Sequence, residues 1–153
     1  MDLSQYLEIF IDESKEHLQT LNDQVLILES EPENVDTVNE IFRAAHSLKG
    51  MAGTMGYKRM QRLTHDMENV FSEIRNGKMN VNADLVDIVF KCLDALEGYL
   101  TNIIETSDEG TEDNDELIAQ LNAVLQNGLA GSGEAQAAAT KEETKEEKKP
   151  EGR

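Results

Sequence analysis

The stretch "VDTVNEIFRAAHSLKGMAGTMG", residues 35–56, decides the fold, because its apolar residues recur at the spacing of an amphipathic helix. Thr37 and Glu40 match a capping box, and Gly56 suits the left-handed conformation that ends many helices. The stretch therefore predicts a helix over about residues 35–55. At about 100° per residue, one arc of this helix collects Ile41, Ala44, Ala45, Leu48, Met51, Ala52 and Met55.

Four further segments carry apolar residues at helical spacing, and no segment shows the alternation that is typical of a strand. Turn residues such as Pro32 and Gly77 separate them, and most connections are short. Short loops between amphipathic helices favour antiparallel neighbours. We therefore expect an all-α fold, an antiparallel up-and-down four-helix bundle with an additional C-terminal helix. The four further predicted helices cover about residues 3–30, 58–76, 83–105 and 114–126.

The end of the chain differs in composition from the helical body. From Gly131 onward there is no Val, Leu, Ile, Met, Phe or Tyr, so this segment cannot bury enough apolar surface to offset the entropy of ordering. We expect one helical domain over residues 1–128 and a disordered, charged linker over residues 129–153. Such a linker indicates a piece of a longer protein in which a further domain follows.

The composition narrows the classes of partner. Thirty-one acidic residues against fourteen basic ones give a net charge of −17, which disfavours binding to nucleic acid or to an anionic membrane surface. The only cysteine, Cys92, lies in an apolar run and predicts a buried thiol in a reducing compartment. There is no signal peptide and no apolar run of membrane-spanning length. We expect a cytoplasmic protein without direct membrane insertion.

One histidine on the second predicted helix stands out. His46 lies nearly opposite the centre of the apolar arc and is predicted to face water. Gly50 and Gly53 fall within about 40° of His46 on the same helix, although glycine costs about 1 kcal/mol relative to alanine in a helix interior. Arg43 and Lys49 flank the histidine by one turn on either side. The pattern predicts a cleared surface beside an exposed imidazole.

The charges around His46 are unusual for so acidic a chain. Residues 41–65 contain no Asp or Glu, yet they hold five of the nine basic residues of the helical body. An acid-free basic neighbourhood around an exposed imidazole indicates an electrostatic docking site for an anion, with phosphate as the first candidate. The alternative is that these cations pair with acids on other helices. The five residues are Arg43, Lys49, Lys58, Arg59 and Arg62.

The third predicted helix offers a partner for the histidine. The sequence "THDMEN", residues 64–69, places His65 and Glu68 one turn apart, on the face opposite the apolar stripe. A carboxylate that accepts from Nδ1–H of an imidazole fixes the tautomer and leaves Nε2 free as a nucleophile. We predict this role for Glu68 toward His46. The alternative is an ordinary solvated glutamate.

The motifs "HSLKGMAGTMGY", residues 46–57, and "THDMEN" resemble the histidine phosphotransfer domains at the amino terminus of bacterial chemotaxis sensor kinases. The resemblance runs from the first helix to about residue 128. It implies that a separate ATP-binding catalytic domain, acting between subunits of a dimer, phosphorylates His46 on Nε2. It also implies that His46 passes the phosphoryl group to an aspartate of response regulators. Carried over by position, Lys49 and His65 assist the transfer and Glu68 orients the imidazole.

The chain itself shows no cofactor site. "GMAGTMG", residues 50–56, lacks the preceding strand and the Lys of a phosphate-binding loop, so ATP and Mg²⁺ are expected on the partner kinase domain. The chain is thus expected to be substrate and phosphodonor, and an enzyme only as part of a full-length histidine kinase. A di-metal bundle needs Glu-x-x-His pairs, and the chain has only the reversed His65-x-x-Glu68, so no metal site is expected.

Two other functions fit the predicted fold. A stand-alone phosphorelay transfer protein would use the same histidine but would not need the long charged linker. A passive helical interaction module would need none of the cleared basic surface around His46. Phosphorylation of His46 therefore discriminates between a phosphotransfer protein and a passive interaction module. His17, on the inner stripe of the first helix, is interpreted as a residue at the edge of the core.

Overall fold

Five α-helices make up the computed structural model, which describes residues 3–132. Within these residues there is no strand, so the predicted all-α class is confirmed. The helices are α1 (Leu3–Ser30), α2 (Val35–Met55), α3 (Lys58–Arg75), α4 (Ala83–Thr106) and α5 (Asp115–Ser132).

The first four helices form a closed ring in which each packs against the next and α1 packs against α4. This is the expected four-helix bundle, and α5 is added against α3 and α4. The core is mainly aliphatic, and Leu21, Leu48 and Leu96 are fully buried within it. No helix of the described part of the chain has the length and hydropathy needed to span a membrane.

The predicted end of α5 is wrong. The helix continues to Ser132, whereas the sequence predicted an end at residue 126 and a linker from residue 129. The glycines in this segment weaken a helix without ending it, and Leu129 and Ala130 are good helix formers that carry it on. The rest of the predicted linker, residues 133–153, lies outside the described residues.

The two ends of α2 differ in how well the sequence anticipated them. The N-cap is Asn34, whose side chain accepts a hydrogen bond from the backbone N–H of Thr37 at 3.1 Å. The predicted capping box is therefore wrong, because Thr37 lies inside the helix and is buried, and Glu40 pairs with Arg43. At the other end Gly56 adopts φ of +83°, which confirms the predicted left-handed stop.

The N-terminus of α3 is capped by a residue distant in sequence. Tyr57, at the N-cap position, makes no side-chain capping hydrogen bond. Instead Glu109, from the loop between α4 and α5, accepts hydrogen bonds from the backbone N–H groups of Arg59 at 3.0 Å and Met60 at 2.9 Å. Only 5% of Glu109 is exposed. A buried carboxylate here satisfies two otherwise unpaired donors and complements the positive end of the helix dipole.

Further hydrogen bonds attach the same loop to the bundle. Tyr57 Oη donates to the carbonyl of Ser107 at 2.9 Å, and Asn102 Nδ2 donates to the carbonyl of Glu109 at 2.9 Å. Beyond the loop, Ile118 and Leu121 of α5 are buried against the bundle. The loop and α5 are therefore integral to the packing of α3.

The Glu109 cap predicts a specific loss of stability. Glu109→Gln removes the charge and turns an amide group toward one of the two backbone donors, so we expect the free energy of unfolding to fall by about 1–2 kcal/mol. Urea denaturation followed by circular dichroism measures the change. The matched control is Glu112→Gln, since Glu112 is exposed and offers the fold only its backbone carbonyl, to Tyr99. Equal midpoints for the two variants would contradict the capping role.

Candidate functional site

His46 and Glu68 meet where α2 crosses α3. His46 lies on the exposed face of α2, and 62% of its side chain is accessible to solvent. Its Nδ1 atom lies 2.5 Å from Oε2 of Glu68, whose side chain is only 10% exposed. The structure thus brings together the two residues that the sequence placed on separate helices. An exposed imidazole is held from behind by a buried carboxylate.

Lys49 completes this arrangement from the next turn of α2. Its Nζ atom lies 2.5 Å from Oε1 of Glu68, so each carboxylate oxygen has one partner from α2. Burial alone would raise the pKa of Glu68, but the hydrogen bonds and charges of Lys49 and His46 outweigh it and lower the pKa below its usual value. Glu68 is therefore ionised at neutral pH and can only accept hydrogen bonds.

An ionised Glu68 determines where the proton of a neutral His46 resides. A carboxylate has no hydrogen to donate, so Nδ1 of the imidazole must carry the proton that the hydrogen bond requires. In the neutral ring Nε2 then keeps its lone pair, and the side chain is open to solvent. The arrangement supplies a nitrogen nucleophile with a fixed tautomer.

The two glycines near His46 have different surroundings. A Cβ atom at Gly50 would meet nothing within 4 Å, so this position leaves open space beside the histidine. A Cβ atom at Gly53 would lie 3.0 Å from Cδ of Gln61 and closer still to its amide nitrogen. The surface clearance predicted for Gly53 is therefore wrong, because a side chain of α3 already covers that position.

All three arginines predicted to form a free docking surface are paired with acids. Arg43 Nη2 lies 2.8 Å from Oε2 of Glu40, and both side chains are exposed. On α3, Arg59 and Arg62 pair with acids beyond α4. The alternative that the sequence left open, pairing with acids on other helices, holds for Arg62, whereas the partner of Arg43 lies on α2 itself and that of Arg59 in the loop after α4. The two α3 pairs are Arg59 Nε to Asp113 Oδ1 at 2.6 Å and Arg62 Nη1 to Asp115 Oδ1 at 3.1 Å.

Lys58 and His65 lie to one side of the histidine. They share a shallow pocket of about 270 Å³ with Lys49, Gln61 and Arg62. His65 is 55% exposed, and its Nδ1 atom lies 3.5 Å from Asp66 Oδ1 rather than against His46 or Glu68. No group of three or more potential metal ligands occurs among residues 3–132.

An open groove of about 580 Å³ runs between α1 and α2 on the other side of His46. Apolar side chains border it, including Tyr6 and Ile9 of α1, which are 52% and 44% exposed. His17 also lines this groove and is half-buried, in line with its interpretation as a residue at the edge of the core. The histidine therefore stands at the mouth of an apolar groove.

Sequence reasoning missed one aromatic neighbour of His46. Phe42 lies one turn earlier on α2, and its ring is nearly parallel to the imidazole, with an angle of 9° between the planes and 6.1 Å between the centroids. The guanidinium carbon of Arg75 lies 3.9 Å from the centroid of the Phe42 ring. The spacing of four residues between Phe42 and His46 was the available signal, since such residues are neighbours on a helix.

The chain is similar to proteins of known type. The family model of the Hpt domain matches residues 5–130. The chemotaxis protein CheA of Bacillus subtilis (strain 168) is 53% identical over 121 residues, which are 79% of this chain. Those residues are only 18% of that protein, so the chain spans less than a fifth of this curated relative.

Solved structures agree with this similarity. The histidine phosphotransfer domain of CheA, determined in solution, matches with a TM-score of 0.74 and 38% identity over 80% of this chain and 92% of that one. The phosphorylated P1 domain of CheA3, crystallised in complex with CheY6 from R. sphaeroides, matches with a TM-score of 0.76. It covers 82% of this chain and 99% of that one, but at 19% identity it supports the fold alone.

The two glycines predict different responses to alanine. Gly50→Ala adds a helix-favouring methyl group into open space, so we expect the free energy of unfolding to rise by about 1 kcal/mol. Gly53→Ala must displace the amide of Gln61 and is expected to gain less. Urea denaturation of the two variants side by side measures the difference. An equal gain at both positions would mean that Gln61 does not restrict Gly53.

The lowered pKa of Glu68 predicts a pH-dependent contribution to stability. A carboxyl whose pKa is lower in the folded than in the unfolded state stabilises the fold above its unfolded value, about 4.3 for glutamate. That contribution is lost as the pH falls through the folded pKa. We therefore expect wild type to exceed Glu68→Gln in unfolding free energy at pH 6 and the gap to shrink toward pH 3. A gap that stays constant over this range would contradict the shift.

Proposed function

Because the chain belongs to the Hpt domain family, we propose that His46 accepts a phosphoryl group on Nε2 and donates it to an aspartate of a response-regulator receiver domain. One observation carries the proposal: the buried carboxylate of Glu68 accepts from Nδ1 of an exposed histidine. That bond leaves the outward nitrogen as the nucleophile. A passive interaction module would not need the outward nitrogen of such a pair to stay open to solvent.

The phosphorylation step follows from the tautomer. The Nε2 lone pair of His46 attacks the γ-phosphorus of ATP in line with the bond to ADP, and the electrons of that bond leave with ADP. No proton has to leave Nε2, because none is there. The imidazole gains positive charge as the N–P bond forms, and Glu68, which lies against Nδ1–H, stabilises that charge. Lys49 keeps Glu68 ionised and in place.

The other components of the reaction come from partners. We propose that a separate catalytic domain of a CheA-type histidine kinase binds ATP and Mg²⁺ and acts on this domain between subunits of a dimer. The similarity to CheA over a fifth or less of its length supports a domain within such a kinase rather than a stand-alone phosphorelay protein. The enzyme activity belongs to the full-length protein, and this domain is its substrate and phosphodonor.

In the second transfer His46 is the phosphoryl donor, and an aspartate of the receiver domain is the acceptor. An aspartate oxygen of the receiver domain attacks the phosphorus, the N–P bond breaks, and its electrons return to Nε2. Glu68 again holds the proton on Nδ1, so His46 leaves as the neutral tautomer. A protein of the same fold was crystallised in its phosphorylated form with CheY6, and we propose a partner of the same kind for this chain. Open space at Gly50 gives each partner access to the imidazole.

Phosphorylation by a kinase core tests this function. We expect the chain, incubated with ATP, Mg²⁺ and a CheA core shown to phosphorylate its own domain, to acquire an acid-labile, base-stable phosphoryl group. His46→Gln should acquire none, and Glu68→Gln should be phosphorylated about 10- to 100-fold more slowly, because its amide no longer enforces the tautomer. The exposed Glu112→Gln is the matched control and should react like wild type.

Two outcomes would overturn parts of the proposal. Incorporation into His46→Gln would place the phosphoryl group elsewhere. Equal rates for Glu68→Gln and Glu112→Gln would remove the role assigned to Glu68 while leaving His46 as the acceptor. Transfer from the phosphorylated chain to a purified receiver domain then tests the second step.

A further inference from the structure

The hydrogen bond to Glu68 does not by itself fix the orientation of the His46 ring. It places Nδ1 and sets the tautomer, but the ring can still tilt about the line that joins Nδ1 to Oε2 of Glu68. The lone pair of Nε2 lies in the ring plane, so a tilt redirects the attacking atom. In-line phosphoryl transfer requires an aligned nucleophile, and small misplacements are costly in rate. A second contact is needed to define the plane.

Phe42 supplies a surface parallel to the imidazole. The two rings are within 9° of parallel, and their centroids are 6.1 Å apart, which is within the range of offset stacking. Phe42 is half-buried on α2, whereas His46 is mostly exposed. The ring of Phe42 is therefore the more restrained of the two and can limit the motion of the imidazole. A tilt of the imidazole away from this plane would lose the parallel contact.

Arg75 fixes the Phe42 ring from the neighbouring helix. Its guanidinium carbon lies 3.9 Å from the ring centroid, a close cation–π contact. Arg75 is in the last turn of α3, seven residues beyond Glu68, and residues seven apart lie on nearly the same face of a helix. One face of α3 therefore reaches His46 twice: directly through Glu68, and indirectly from Arg75 through Phe42.

We propose that Phe42 is a positioning residue that sets the plane of the His46 imidazole, and that Arg75 holds Phe42 in place for this task. The proposal rests on the proposed function, because it concerns the direction of the Nε2 lone pair during phosphoryl transfer. Glu68 sets which nitrogen attacks, and the stack of Arg75, Phe42 and His46 sets the direction of attack.

Kinetics with the kinase core distinguish a loss of His46 alignment, which lowers kcat, from a loss of docking, which raises KM. We expect Phe42→Leu to lower kcat for phosphorylation of the chain about 10-fold with KM unchanged, because the loss affects alignment rather than binding. Phe42→Tyr keeps the parallel ring and should retain the wild-type kcat. Arg75→Gln should lower kcat by about two- to fivefold, the size of a solvent-exposed cation–π contact. Lys91→Gln, on the exposed surface of α4, removes the same charge and should match wild type.

Two spectroscopic readouts distinguish positioning from a general loss of structure. The ¹⁵N chemical shifts of His46 should report the Nδ1–H tautomer in every variant, because Glu68 is untouched. Relaxation of the labelled imidazole should show larger ring motion in Phe42→Leu than in Phe42→Tyr, and this comparison needs no kinase. It therefore tests the contact between Phe42 and His46 even if the wild-type chain is not phosphorylated. Lack of phosphorylation would contradict the proposed function and would leave this contact to be judged by ring motion.

Three results would overturn the inference. A wild-type kcat and an unchanged ring order in a folded Phe42→Leu variant would show that the stack does not restrain His46. An effect of Arg75→Gln on KM alone would make Arg75 a docking residue. A changed tautomer in Phe42→Leu would mean that Phe42 acts through Glu68 and not on the plane of the imidazole.

Discussion

A buried negative charge governs the arrangement of α2 and α3. Removing a carboxylate from water is costly unless each oxygen gains a partner, and Glu68 obtains one from His46 and one from Lys49. Both partners come from consecutive turns of α2, so the carboxylate is satisfied only when α3 lies at one height against α2. The same contacts that make the charge tolerable hold the proton on Nδ1 of the histidine. The contacts that stabilise α3 against α2 therefore also set the tautomer of His46.

The position of α3 depends in turn on parts of the molecule far from the histidine. Glu109 caps its first turn from the loop after α4, and Asp113 and Asp115 pair with Arg59 and Arg62 along its flank. These acids also lessen the positive charge that residues 41–65 concentrate around His46. The basic residues of α3 therefore act first as attachment points for the loop and α5. Of the predicted docking set, Lys58 lies exposed in the pocket beside Lys49.

The helices could be predicted because their signals are local. The contact between Glu68 and His46 joins two helices, and it was predicted from the chemistry of a carboxylate beside an imidazole and from the resemblance. Apolar periodicity places α1 to α4, and the one-turn spacing of His65 and Glu68 in "THDMEN" singled out the carboxylate. The face predicted for Glu68, opposite the apolar stripe, is wrong, because Glu68 is one of the buried residues of α3. Three other contacts join residues from different helices or loops. They are Gln61 over Gly53, Glu109 at the first turn of α3, and Arg75 over the ring of Phe42. No periodicity in one segment reports such contacts, because they depend on how helices are set against one another. The missed end of α5 has a different cause, since glycine weakens a helix without marking where it stops.

The capping of α3 by Glu109 sets the shortest chain that can keep the site intact. A four-helix fragment cut after Thr106 would contain His46, Glu68, Lys49 and Phe42, yet the first turn of its α3 would lack the carboxylate that accepts from the N–H groups of Arg59 and Met60. The unit that keeps α3 capped therefore extends beyond the loop to α5, although the partners described for Glu68 all lie on α2.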